Sequence, residues 1–97
     1  MQPDQLRAII TGGVSGLGLA VATRVVANGG KVALFDVNDD KGAAAVAALG
    51  TSQAQYFRTD VTSEAEVAAN VDAASAFLGG LNAAISCAGV LGAGRGV

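Results

Sequence analysis

Thr11-Gly12-Gly13-Val14-Ser15-Gly16-Leu17-Gly18 stands between the apolar run Leu6-Arg7-Ala8-Ile9-Ile10-Thr11 and a long stretch of Ala, Leu and Val whose only charge is Arg24. A short apolar run ended by glycines reads as a strand buried on both faces. The stretch from Gly16 to about Asn28, stopped by Gly29-Gly30, reads as a helix. Between them, glycines let the backbone turn tightly and come close to an anion, whose charge would lie against the amides and positive dipole end of the helix.

Outward from this unit the plan repeats. Lys31-Val32-Ala33-Leu34-Phe35-Asp36 is a second buried strand. Asn38 to Leu49 is a helix with Asn38 or Asp39 near its N-cap and Gly50 at its C-terminal end. Gln55-Tyr56-Phe57-Arg58-Thr59 is a third strand, closed by Asp60-Val61. Ser63-Glu64-Ala65-Glu66 has the form of a capping box, serine followed three residues on by glutamate, and starts a helix that runs to about Leu78. Val67, Val71, Ala74 and Leu78 place one apolar stripe along it. Gly79-Gly80 ends it, Leu81 to Ser86 is a fourth strand, and Val90 to Val97 reads as loop or disorder. The order β-α-β-α-β-α-β with short links predicts an α/β fold: a doubly wound, right-handed parallel sheet with helices on both faces. No linker, repeat or second domain is seen, and residues 1–97 are expected to form a single unit.

Composition limits the function. The chain has 97 residues, six Lys+Arg against eight Asp+Glu, a net charge of −2 and no His, and offers no electrostatic footprint for nucleic acid. One cysteine, Cys87, excludes an internal disulfide, and without histidine a zinc site of the usual kind is not expected. The uncharged stretches from Ala8 to Thr23 and from Ala73 to Gly94 are broken by glycines and polar residues, so neither a secretory leader nor a membrane helix is expected, and the chain reads as cytoplasmic.

Three further places carry chemistry. Asp36 ends strand 2 at about the distance from the glycine loop at which a dinucleotide fold places an acid. A carboxylate there accepts hydrogen bonds from both hydroxyls of an adenosine ribose and repels a 2′-phosphate, which favours NAD over NADP. Residues 13 to 15 and Val37 offer no cation for that phosphate, and Lys41, the nearest base in sequence, sits in the next helix. Asp60-Val61 ends strand 3 at the same sheet edge, where Asp60 would accept the adenine amino group and Val61 contact the ring. A role for Asp60 in capping the next helix is compatible with this. Cys87-Ala88-Gly89 ends strand 4 beside strand 1, at the switch point where ligands bind. No histidine is available to activate Cys87, so a packing or backbone-contact role is expected for it.

Together, TGGVSGLG, Asp36, Asp60-Val61 and Ser86-Cys87-Ala88-Gly89 resemble the TGxxxGxG loop, the strand-2 acid, the strand-3 Asp-Val and the NNAG turn of the short-chain dehydrogenase/reductase family, from Leu6 to about Val90. The resemblance is strongest to the type-2 3-hydroxyacyl-CoA/17β-hydroxysteroid dehydrogenases, at ITGGVSGLGLA, DVTSE and the cysteine before Ala-Gly. It implies a Rossmann-type sheet of order 3-2-1-4. It also implies NAD contacts at Gly12, Ser15, Gly16, Leu17, Gly18, Asp36, Asp60, Val61, Cys87, Ala88 and Gly89. The departures are Ser86 and Cys87 in place of two asparagines, and Asn82 where the family commonly has aspartate.

The family's chemistry uses a serine and a Tyr-x-x-x-Lys pair. The only tyrosine here is Tyr56, with Asp60 four residues on, so no catalytic residue is assigned. The chain is expected to be the cofactor-binding N-terminal part of an NAD-dependent dehydrogenase, ending after strand 4 and inactive alone. The whole protein would act on a small secondary alcohol or ketone, a 3-hydroxyacyl-CoA among the candidates, and would assemble as a homo-oligomer. A non-catalytic dinucleotide-binding module stays open as an alternative. An S-adenosylmethionine-dependent methyltransferase fragment also has acids after strands 2 and 3, but its glycines usually form a tighter G-x-G-x-G.

Overall fold

A computed structural model describes residues 6–14 and 16–86. The elements are β1 (Arg7–Thr11), α1 (Gly16–Ala27), β2 (Lys31–Asp36), α2 (Asp39–Leu49), β3 (Ala54–Arg58), α3 (Glu64–Leu78) and β4 (Ala83–Ser86). The four strands form one parallel sheet in the order β3-β2-β1-β4. The predicted order, 3-2-1-4, is the one seen.

Strand alternation sorts the core into two layers. On one face Ala8, Ile10, Val32, Leu34 and Ala54 pack with Ala22 and Val25 of α1 and Ala45 of α2. On the other, Ile9, Ala33 and Phe35 pack with Ala74 and Leu78 of α3. All four interior residues of β2 are buried, as a central strand covered on both sides requires. The predicted α3 stripe is graded: Ala74 and Leu78 are buried, Val67 and Val71 only half-buried.

Capping explains where the helices begin and end. Asn38, not Asp39, caps α2, its Oδ1 accepting from Lys41 N at 3.0 Å. Gly29, Gly50 and Gly79 take positive φ just past the three helix ends. Ser63 caps α3 by accepting from Glu66 N at 3.3 Å, but the box is not closed in the reciprocal way. Glu66 Oε1 accepts from Asp60 N at 3.1 Å, while Ser63 N donates to the Asp60 carbonyl at 2.9 Å.

β4 begins at Ala83 rather than the predicted Leu81, and Asn82 is the cause. Its side-chain Oδ1 accepts from Arg7 N at 2.8 Å, and its own N–H donates to the Arg7 carbonyl at 3.1 Å. The side chain takes a donor that would otherwise serve the ladder, which starts one pair later at Ala8↔Ala83.

Gly42, inside α2, is explained by β3. A Cβ there would lie 2.5 Å from the Tyr56 ring, at atoms next to its attachment that cannot swing aside. Gly42→Ala would gain about 1 kcal/mol of helix propensity and lose about 1–3 kcal/mol to overpacking. Net destabilisation is expected, read as a fall of several degrees in the thermal midpoint. A raised midpoint would show that the ring yields freely.

Candidate functional site

The carboxyl ends of β1, β2 and β3 enclose a cleft of ≈ 230 Å³ lined by Gly12, Phe35, Asp36, Val37, Thr59, Asp60 and Val61. Gly12 turns the chain out of β1 with φ 68°, a left-handed conformation that favours glycine. Its N–H and that of Gly13 both donate to the Phe35 carbonyl, at 2.8 and 3.4 Å, which ties the loop to β2. Gly18, in the first turn of α1, lies against this loop: a Cβ there would run into the Gly12 carbonyl and come within 2.9 Å of Gly13 Cα. Gly18 therefore serves close packing. At Gly16 an added Cβ would meet nothing within 4 Å among the described residues, so none of them demands glycine there.

Asp36 is one of the residues lining the cleft. Its Oδ2 accepts from Val14 N at 3.3 Å and its Oδ1 from Val37 N at 2.7 Å. A carboxylate offers about four lone-pair positions, and these two bonds occupy half of them. Beside it, Val37 is 52% and Val61 45% exposed. They are large apolar side chains left in solvent at the rim of a cleft whose floor is Phe35, held edge-on to Phe57 with ring centroids 5.7 Å apart.

Asp60 is exposed. Its Oδ1 accepts from Thr62 Oγ1 at 2.6 Å and from Thr62 N at 2.9 Å. These bonds, the side-chain one first, hold its carboxyl below the usual carboxylate range. Asp60 thus shapes the turn before α3 while Ser63 caps the helix.

Several neighbours of the cleft had no signal in the sequence. Thr59 is buried, its hydroxyl donating to the Phe57 carbonyl at 2.9 Å and accepting from Asn70 Nδ2 at 2.7 Å. Tyr56 Oη lies 3.0 Å from the Asp36 carbonyl and 2.9 Å from Asp39 Oδ1. Burial first, then the bond to Asp39, pushes its phenol up to about 12. By sequence distance Lys41 is the nearest base to Asp36, yet in the fold Arg58 reaches the same turn, its Nη1 donating to the Val37 carbonyl at 2.7 Å. Arg58 also pairs with Asp39 at 3.4 Å, both side chains being well exposed. Such a pair contributes about 0–1 kcal/mol.

Of the predicted site residues, the fold brings Gly12, Asp36, Asp60 and Val61 to one cleft. Gly16, Leu17 and Gly18 stand in the first turn of α1 and are not among the residues that line it, Leu17 being 51% exposed. Ser15, Cys87, Ala88 and Gly89 fall outside the described residues. Among the described residues no helix is long and apolar enough to cross a membrane.

Known proteins share this pattern. The short chain dehydrogenase family profile matches residues 7–96. Momilactone A synthase of Oryza sativa subsp. japonica is 45% identical over 85 residues, covering 88% of this chain and 31% of that protein. The 2,5-dichloro-2,5-cyclohexadiene-1,4-diol dehydrogenase of Sphingobium indicum is 45% identical over 86 residues, covering 89% and 34%. The 3-hydroxyacyl-CoA dehydrogenase type-2 of Bos taurus is 42% identical over 85 residues, covering 88% and 32%. Among solved structures, a Bacillus anthracis short chain dehydrogenase superposes with a TM-score of 0.83 at 23% identity, covering 91% of this chain and 36% of that one. NAD+-bound xylitol dehydrogenase superposes with a TM-score of 0.79 at 28% identity, covering 87% and 33%. The chain spans about a third of the length of these relatives. With the glycine loop, the strand order and the family profile in agreement, the chain belongs to the short-chain dehydrogenase family.

Proposed function

We propose that this chain is the adenosine-binding part of an NAD-dependent dehydrogenase acting on a secondary alcohol or ketone. The observation that carries this is that Gly12, Asp36, Asp60 and Val61, from three turns far apart in sequence, line one cleft. The residues present fit the group. At ≈ 230 Å³ the cleft is smaller than the roughly 300–1,000 Å³ of pockets that hold whole ligands, which suits one end of a dinucleotide. Asp36 keeps carboxylate capacity for a ribose diol. Val37 and Val61 offer apolar flanks to a flat ring, and Asp60 an acceptor for its amino group. The open backbone at Gly16 and the positive end of α1 suit a diphosphate. Ser15, Leu17, Cys87, Ala88 and Gly89 are proposed as further contacts on the family likeness.

When bound, NAD supplies the hydride-carrying nicotinamide ring. The residues of this chain bind and orient: Asp36 selects a free 2′-hydroxyl over a 2′-phosphate by charge, since two anions in contact repel. That relatives are named for a cyclic diol and for a 3-hydroxyacyl-CoA supports a secondary alcohol as the group oxidised by the whole protein, a hydroxyacyl thioester being one candidate.

Binding and chemistry separate in the test. The 97-residue chain is expected to bind NAD more tightly than NADP in calorimetry, and to transfer no hydride from NADH to acetoacetyl-CoA, as it carries no Tyr-x-x-x-Lys. Equal affinity for NADP would remove the role of Asp36. Turnover at the rate of an ordinary dehydrogenase would show that a catalytic group has been overlooked.

A further inference from the structure

We propose that Tyr56 is a positioning residue for the nucleotide ribose: its hydroxyl, with Arg58, fixes the Asp36–Val37 turn so that the Asp36 carboxylate is presented to the cleft. The proposal rests on the adenosine reading above.

Asp36 and Arg58 are register partners on adjacent parallel strands, and Tyr56 stands opposite Leu34, so Tyr56, Arg58 and Asp36 share one face of the sheet. From β3, Tyr56 Oη reaches the Asp36 carbonyl at 3.0 Å and Asp39 Oδ1 at 2.9 Å. Arg58 Nη1 reaches the next carbonyl, that of Val37, at 2.7 Å, and the same Asp39 oxygen at 3.4 Å. The short link between β2 and α2 is thus gripped at two consecutive carbonyls, and the first residue of α2 is gripped by both side chains. The Asp36 carbonyl takes a second donor, Thr59 N at 2.8 Å.

A phenol has one proton to donate, and here two oxygens share it. Its raised pKa, about 12, keeps that proton in place well above neutral pH. Meanwhile Arg58, the cation on the same face as Asp36, is committed to Val37 and Asp39, and no ion pair between Arg58 and Asp36 forms among the described residues. The carboxylate stays available for the cleft. Gly42 shows how closely the ring is seated. A poor helix former sits inside α2 where any Cβ would strike the Tyr56 ring, so the helix makes room for this side chain. Ring packing alone would be served by phenylalanine, and the hydroxyl is what reaches the turn.

The test uses AMP and 2′-deoxy-AMP, titrated calorimetrically into the 97-residue chain, because their ratio reports the hydroxyl contact and not the amount of folded protein. The original chain is expected to prefer AMP by about tenfold, the worth of one charge-assisted hydrogen bond. Tyr56→Phe, which keeps the ring on Gly42, is expected to retain its circular dichroism and its 2′-deoxy-AMP affinity, while the preference for AMP falls to about threefold or less. Arg58→Met, at an exposed position, is expected to lower the preference in the same direction. A preference unmoved in both variants, with Asp36→Ala abolishing it, overturns the positioning role alone. Loss of fold in Tyr56→Phe also overturns it, since the hydroxyl would then serve the fold as a whole. No preference in the original chain, or one that survives Asp36→Ala, overturns the ribose assignment, and the proposal with it.

Discussion

Gly18→Val is expected to lower the thermal midpoint by more than about 10 °C and to remove nucleotide binding with it. Helix propensity favours the substitution only slightly. Against it stands a contact with backbone: the new side chain would occupy the space of the Gly12 carbonyl, whose own residue is tied to Phe35 at 2.8 Å. A carbonyl locked in a loop cannot rotate away as a side chain tip can, and the cost should reach the upper end of overpacking values, about 3 kcal/mol. For a domain of this size each kcal/mol moves the midpoint by roughly 4–8 °C. Differential scanning calorimetry checks this directly, and a midpoint within about 3 °C of the original would show that α1 can retreat from the loop. Gly18→Ala should give a smaller fall in the same direction.

Asp36→Ala is expected to weaken NAD binding by about 10- to 100-fold, corresponding to the loss of about 1.5–3 kcal/mol of charge-assisted hydrogen bonding. The substitution also removes the acceptors of Val14 N and Val37 N. Both bonds are at least partly in solvent, where water replaces them, and the thermal midpoint should move by only a few degrees. That asymmetry, large in binding and small in stability, is the expected signature of a ligand-facing carboxylate. Asp36→Asn keeps one acceptor and removes the charge, and should narrow the discrimination against NADP. An unchanged dissociation constant for NAD in the alanine variant would refute the ribose role.

Much of the fold was legible because each element carries its own punctuation. β2 reads over Lys31–Asp36 as it is seen, since its four buried apolar residues are bracketed by the half-buried charged residues Lys31 and Asp36. The helices end where glycines stand. Gly12, Asp36, Asp60 and Val61 could be singled out together because each follows or ends a strand at one edge of a parallel sheet, where loops must gather. What remained hidden depends on contacts between strands. Alternation along β3 shows which face Tyr56 and Arg58 occupy, but not that their polar tips reach the turn after β2. Thr59 gives no sign of burial, because its partner Asn70 comes from the middle of α3. Asn82 was legible as a departure from the family pattern, yet its effect on the start of β4 follows from a single side-chain acceptor opposite Arg7.

The turn after β3 has a further consequence. The Asp60 amide is held by Glu66, its carbonyl by Ser63 N and its carboxylate by Thr62, so this wall of the cleft is ordered through its own chain before any ligand arrives. Association should then cost little conformational entropy on that side. The backbone amides of residues 60–63 should show nearly the same hydrogen-exchange protection with and without nucleotide, as expected of a wall already set in the free chain.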